Sequence, residues 1–106
     1  MKKPWFFILL SLASRDRYGS DIQEDVRALS DGDVRLWPAT LYGSLEELVE
    51  RGWIRELDGA EAPVDGASRS RWYAIEPEGR EALRAEVERS DTVNRVARRR
   101  LGRERA

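Results

Sequence analysis

The chain of 106 residues contains neither cysteine nor histidine. Without thiols it has no disulfide and no thiolate metal site, and nothing in it calls for an oxidising compartment. Without imidazole, the commonest general base and the commonest transition-metal ligand are both missing. A glycine-rich phosphate loop and a Gly-x-Ser-x-Gly elbow are also lacking, as are internal repeats and low-complexity tracts. The carboxylates are plentiful, but on polar helix faces they read as solvated charges. No catalytic constellation is left, so the sequence reads as a non-enzyme with no metal and no cofactor. Charge of one sign is scarce too: 19 Lys and Arg face 20 Asp and Glu, a net charge of −1. Global charge therefore does not announce a nucleic-acid binder, and local distribution has to be read instead.

What is present is a 41% hydrophobic share, enough for a small core, and a high 37% of charged residues, the mark of exposed, ion-paired helices. The length suits one domain, or one domain with an appendage. The opening MKKPWFFILLSLAS has the layout of a secretory signal: two lysines, an apolar run, then small residues. The competing reading is a buried first helix with Pro4 in its opening turn, running to about Ala13. The run is short for a membrane span of roughly 20 residues, so no membrane association is expected, and the missing cysteines favour the cytoplasm.

After a polar turn at Arg15, Asp16 and Arg17, a second helix is expected from Ser20. Ser20 and Gln23 fit a capping box, and Ile22, Val26 and Leu29 would face the core. Ser30 to Asp33 end it. The stretch Leu36 to Ile54, LWPATLYGSLEELVERGWI, reads as a helix entered through Pro38 and stopped at Gly52. Leu41, Leu45, Leu48 and Val49 make its apolar stripe, and Thr40, Tyr42, Ser44, Glu47 and Arg51 its outer face. Strand-like pieces follow at Trp53–Leu57 and Arg71–Ile75, joined by a loop rich in Gly, Ala, Asp and Ser. They read as an antiparallel hairpin. A last helix begins at Pro77, and about 25 residues at 1.5 Å each make a rod of roughly 37 Å, too long for so small a core to cover. Leu83, Val87, Ser90, Asn94, Ala97 and Leu101 form a weak heptad seam, and Ser90–Asp91 could instead cap a separate final helix. A half-apolar rod wants a partner, and a second copy of the chain is the simplest one.

The fold expected is thus mainly α with a small β-hairpin: a winged helix-turn-helix over residues 1–76, then a dimerisation helix with a basic tail over 77–106. In that arrangement the Pro38 helix lies in the DNA major groove with the two strands as a wing behind it. Thr40, Tyr42 and Ser44 are the expected groove contacts, with Pro38 and Gly43 on the same first turns. Packing of Tyr42 against the second helix is the competing assignment. Arg69 and Arg71 flank the wing tip, where they could hold phosphates or enter the minor groove. Arg15, Arg17 and Arg35 could support them, and the arginines from Arg95 to Arg105 could reach phosphate or end as a solvated tail. Glu46, Glu47 and Glu50 oppose DNA contact, and favour the alternative of a winged-helix module that binds another protein. Trp5, Trp53 and Trp72 are expected in core and wing packing.

Thr40-Leu41-Tyr42, Leu45, Leu48, Gly52 and Ile54 resemble the recognition helix of the PadR-like transcriptional regulators. Upstream, ILLSLASRDRYGSDI resembles that family's first helix and glycine-containing turn. Downstream, RWYAIEPEGREAL resembles its second wing strand and the start of its last helix. The resemblance spans about residues 8–84, and it departs at Trp37, Ala39, Gly43 and Ser20, where the family more often has a small polar residue, Gly, Pro and Tyr. It implies a homodimeric DNA-binding repressor that occupies an inverted-repeat operator. It also implies release by a small hydrophobic or aromatic effector held in an aromatic-lined cavity, while dimerisation through Leu83, Val87, Asn94, Ala97 and Leu101 is the expectation of the heptad seam. No tryptophan lies in the final helix here to line such a cavity.

Overall fold

The computed structural model describes residues 1–59, 61, 62 and 71–104. Helix α1 spans Lys3–Ser14, with Pro4 in the first turn where its missing N–H costs nothing. Trp5, Ile8, Leu9 and Leu12 recur at helical spacing and are buried. The run with the layout of a secretory leader is therefore the central helix of the core, packed on α2, α3 and α4.

Helix α2 runs Gly19–Leu29, and its N-cap is Tyr18, with no side-chain cap. The expected Ser20–Gln23 capping box is not formed. Gln23 Nε2 instead donates to the Leu36 carbonyl at 2.5 Å, tying α2 to the segment ahead of the next helix. Ile22 and Val26 are buried as expected, while Leu29 is 46% exposed because the helix ends there and the chain turns away.

Helix α3 covers Pro38–Glu50. Its end is a Schellman motif: Gly52 N–H donates to Val49 O at 3.0 Å and Trp53 N–H to Leu48 O at 3.1 Å. Gly52 takes φ 74°, where an L side chain would be strained. The buried face is Leu41, Ser44, Leu45 and Leu48, so the stripe is rotated from the expected one. Val49 is 40% exposed and Ser44 lies inside.

Strands β2 (Ile54–Glu56) and β3 (Trp72–Ile75) form the expected antiparallel pair, with Ile54 opposite Ile75. A third strand, β1 (Arg17–Tyr18), pairs with the other edge of β3, giving the order β1-β3-β2. Of the residues read as a polar turn, Arg17 is thus part of the sheet, while Arg15 and Asp16 lead into it. Arg17 is nearly buried: its guanidinium donates to Ser11 O, Ser14 Oγ and Asp21 Oδ1, each at 3.0 Å, and lies 3.5 Å from Asp25. With its donors used this way, Arg17 binds α1 to α2 and is not free for phosphate. Arg15 pairs with Asp21 at 3.1 Å.

Helix α4 is continuous from Pro77 to Glu104, with no break at Ser90–Asp91. Its first turn rests on the α3–β2 junction, where Glu76 N–H donates to Trp53 O at 2.8 Å. Leu83 is buried in the common core, beyond the reach of a dimer seam that starts afresh from it. From Val87 onward every described side chain is exposed, which stretches the molecule to 60 × 27 × 21 Å.

Candidate nucleic-acid interface

The first turn of α3 is the part of that helix least committed to the core. Pro38, Ala39, Thr40, Tyr42 and Gly43 are exposed, whereas Leu41 between them is 1% exposed and anchors the turn. The turn therefore presents Thr40, Tyr42 and Gly43 on a fixed backbone. Ser44, expected beside them, is only 6% exposed and faces inward, because the 3.6-residue period puts it on the same side as Leu41 and Leu48. It is not available to a groove.

Tyr42 packs on the second helix, the competing assignment, while part of its ring stays in solvent. It is 36% exposed, yet its ring leans on the start of α2 so closely that a Cβ on Gly19 would collide with the Tyr42 hydroxyl and lie 3.1 Å from Cζ. Glycine at position 19 is thus a packing requirement for how the tyrosine is held. On its other side the Arg71 guanidinium stands 5.6 Å from the Tyr42 ring and 5.7 Å from that of Tyr73. Helix α3 and the wing therefore meet at one cation–aromatic cluster, with Tyr42 and Arg71 at the surface and Tyr73 buried beneath them. Arg69 lies outside the described residues.

Arg71 also carries a two-point ion pair: Nε to Glu56 Oε1 at 2.7 Å and Nη2 to Oε2 at 3.3 Å, across β3 and β2. Hydrogen bonding from Arg71 holds the Glu56 carboxyl below the ordinary carboxylate range, and the same bond raises the Arg71 pKa. Burial pushes the Tyr73 phenol up to about 12, against the opposing pull of Arg71, so it is neutral at physiological pH. Behind the cluster a groove of about 200 Å³ runs between α3 and the wing, lined among others by Val49, Glu46, Glu50 and Glu56. The acidic half of α3 thus faces this groove and stands apart from the first turn.

Arg35 is exposed ahead of α3. Trp5 and Trp53 pack edge to face, with ring centroids 5.9 Å apart and Arg51 over both, as core packing requires. Trp72 packs on Tyr18 in the sheet. Among the described residues there is no cluster of carboxylates fit to hold a metal ion, and no helix is long and apolar enough to cross a membrane.

Three helices, a small antiparallel sheet and an exposed first turn on the third helix define a winged helix-turn-helix of the kind that binds DNA. The chain belongs to the transcriptional regulator PadR-like family, whose model matches residues 8–85. The family comprises DNA-binding regulators of transcription, which are not enzymes. A transcriptional regulator from Clostridium thermocellum is 25% identical with a TM-score of 0.72, over 90% of this chain and 89% of that one. A PadR family transcription regulator from Clostridium difficile shares the fold at 18% identity and a TM-score of 0.78, over 94% and 99% of the two chains. Bordetella bronchiseptica BpsR, whose DNA binding is regulated by 6-hydroxynicotinic acid, shares it at 18% identity and a TM-score of 0.70, over 91% and 60%. No curated protein sequence matches the chain.

Proposed function

We propose that this protein represses transcription as a cytoplasmic homodimer that occupies an inverted-repeat operator. Each subunit would insert the first turn of α3 into a major groove, with Pro38, Thr40, Tyr42 and Gly43 at the base edges and Arg35, Arg69 and Arg71 on phosphates. The observation that carries this reading is the meeting of Tyr42 and Arg71, 5.6 Å apart, which joins helix and wing into one continuous surface. Two such surfaces related by a twofold axis would read half-sites about 34 Å apart, one helical turn. Residues 77–106 would supply the pairing through Val87, Asn94, Ala97 and Leu101.

Selection of duplexes from a random pool, followed by band-shift titration of the winner at two salt concentrations, tests the proposal. A recovered palindrome bound more weakly at high salt is expected, since phosphate contacts release counterions. Binding no better than to random duplex, or binding indifferent to salt, overturns it. The reading extends to release by a small aromatic effector, the kind of control described for BpsR. Titration of the operator complex with aromatic acids checks that part separately, and an unchanged affinity removes it.

A further inference from the structure

Trp37 is the most exposed large apolar side chain among the described residues, at 67%. Its exposure is not a loose end. On one side Leu36 is buried and its carbonyl accepts from Gln23 Nε2. On the other, Pro38 fixes the backbone and the Trp37 carbonyl accepts from Leu41 N–H at 2.8 Å. The indole is therefore presented to solvent on a backbone pinned at both ends. Beside it opens a groove of about 180 Å³ lined by Gln23, Arg27, Arg35, Leu36 and Trp37.

The two arginines of that groove are not among those held in ion pairs, and in this they resemble Arg51, Arg80 and the arginines from Arg95 to Arg100. Arg15, Arg17, Arg55, Arg71, Arg84 and Arg89 each have a carboxylate partner. Among the described residues neither Arg27 nor Arg35 has one within 4.0 Å. Arg27 shares a neighbouring groove with Glu24 and Asp31, so Arg35 is the less compensated of the two. An apolar protein partner covering Trp37 would have to desolvate these unpaired charges. A sugar–phosphate strand suits both features, since the deoxyribose offers an apolar C–H face between two anionic groups.

We propose that Trp37, Arg27 and Arg35 form a second DNA-contacting edge, on the flank of α3 away from the wing. The indole lies against a deoxyribose and the guanidinium groups take the flanking phosphates. This rests on the reading of α3 as the groove-bound helix. Contacts of this kind position the protein and carry no base information, so their loss weakens binding to all sequences alike.

Iodide quenching of tryptophan fluorescence tests the edge directly, because Trp5 and Trp72 are buried and Trp53 is half-buried. The free protein should show one accessible component, absent in Trp37→Phe and shielded when the selected operator duplex is added. In parallel, fluorescence anisotropy should show Trp37→Ala binding about tenfold more weakly to operator and random duplex alike. Arg27→Ala/Arg35→Ala should have a salt slope shallower by about 1 to 2. Melting temperatures should hold in both, as the side chains are exposed. A duplex that binds tightly by anisotropy yet leaves Trp37 open to iodide overturns the edge and leaves the groove reading intact. An indole already shielded in free protein also overturns it, and points to a second protein surface there. Absence of any duplex binding defeats the underlying reading instead.

Discussion

Arg71 has two claimants in a DNA-bound state, Glu56 and a phosphate. The Glu56 pair is bidentate but lies at the surface, both side chains being more than 40% exposed, and such pairs contribute only about 0.2–1 kcal/mol. A phosphate can displace Glu56, at a cost in affinity of that size. Glu56→Gln should therefore tighten DNA binding about two- to fivefold and steepen its salt dependence, with folding stability lowered by less than about 1 kcal/mol. Unchanged or weaker binding in a titration would mean that Arg71 does not reach phosphate. Tyr73 beneath it makes a second prediction, on pH. Its phenol is neutral when folded up to about 12, while in the unfolded chain it titrates near the ordinary phenol value of 10.0. The raised value adds stability that is complete below about pH 10 and is lost as pH climbs towards about 12, because only the unfolded chain ionises in that window. Thermal melts across this range should fall more gently for Tyr73→Phe than for the natural chain; parallel curves would contradict the assignment. At this scale the sequence was readable where a side chain's role is local. Thr40, Tyr42 and Arg71 lie where their spacing puts them. Ser44 and Arg17 do not, because a helical period leaves two neighbouring phases open and a small polar residue is not excluded from either. Nothing around Arg17 in sequence reveals that the Ser11 carbonyl, Ser14 and Asp21 will use its donors.

Among the elements, the three helices, the two wing strands and the closing helix were all legible: α1, α3 and α4 carry their own punctuation in Pro4, Pro38, Pro77 and Gly52, α2 carries its apolar period, and the strands their aromatic and β-branched residues. Strand β1 was not. Two residues long, it has no period to detect, and it exists only because β3 offers it a free edge. The docking of α4 is likewise a tertiary fact, and it depends on Gly79. A Cβ there would collide with the Trp53 carbonyl oxygen and come within 3.0 Å of its carbon and 3.1 Å of Ile75 Cγ1. The Trp53 carbonyl cannot retreat easily, since it accepts the Glu76 N–H that starts the helix. Helix propensity alone would have Gly79→Ala stabilise by up to about 1 kcal/mol. Overpacking against backbone should reverse the sign and cost about 1–3 kcal/mol, which is a fall of several degrees or more in melting temperature. Gly102→Ala, on the same helix with nothing within 4 Å of a Cβ built there, is the matched control and should be neutral or slightly stabilising. A melting temperature that rises in both variants would show that α4 does not sit on the junction as described.

The shape of the whole molecule poses the question of what covers α4. A 28-residue helix is about 42 Å long, and only its first two turns are held by the core. Beyond them Val87, Val93, Val96 and Leu101 are 36–62% exposed on a rod that gains nothing by standing in water. Charge is uneven along it: in the first half Glu78, Glu81, Glu86 and Glu88 face Arg80, Arg84 and Arg89, whereas Arg95, Arg98, Arg99 and Arg100 stand together in the second. An antiparallel second copy would set the basic half of each rod beside the mixed-charge half of the other while covering the valines, and a parallel one would bring the two basic halves together. Pairing is therefore expected to be antiparallel, and to fix the separation of two α3 helices. Val87→Asp/Leu101→Asp should yield a folded monomer by sedimentation, with helical content and melting of the core little changed. Such a monomer should retain half-site affinity but lose the gain, on the order of a hundredfold or more, that linking two half-sites confers on a full palindrome. Full-site affinity that survives in a proven monomer would remove the twofold model of operator binding. A dimer that persists with both aspartates in place would move the interface off α4, to the half-buried Phe6 and Phe7 of α1.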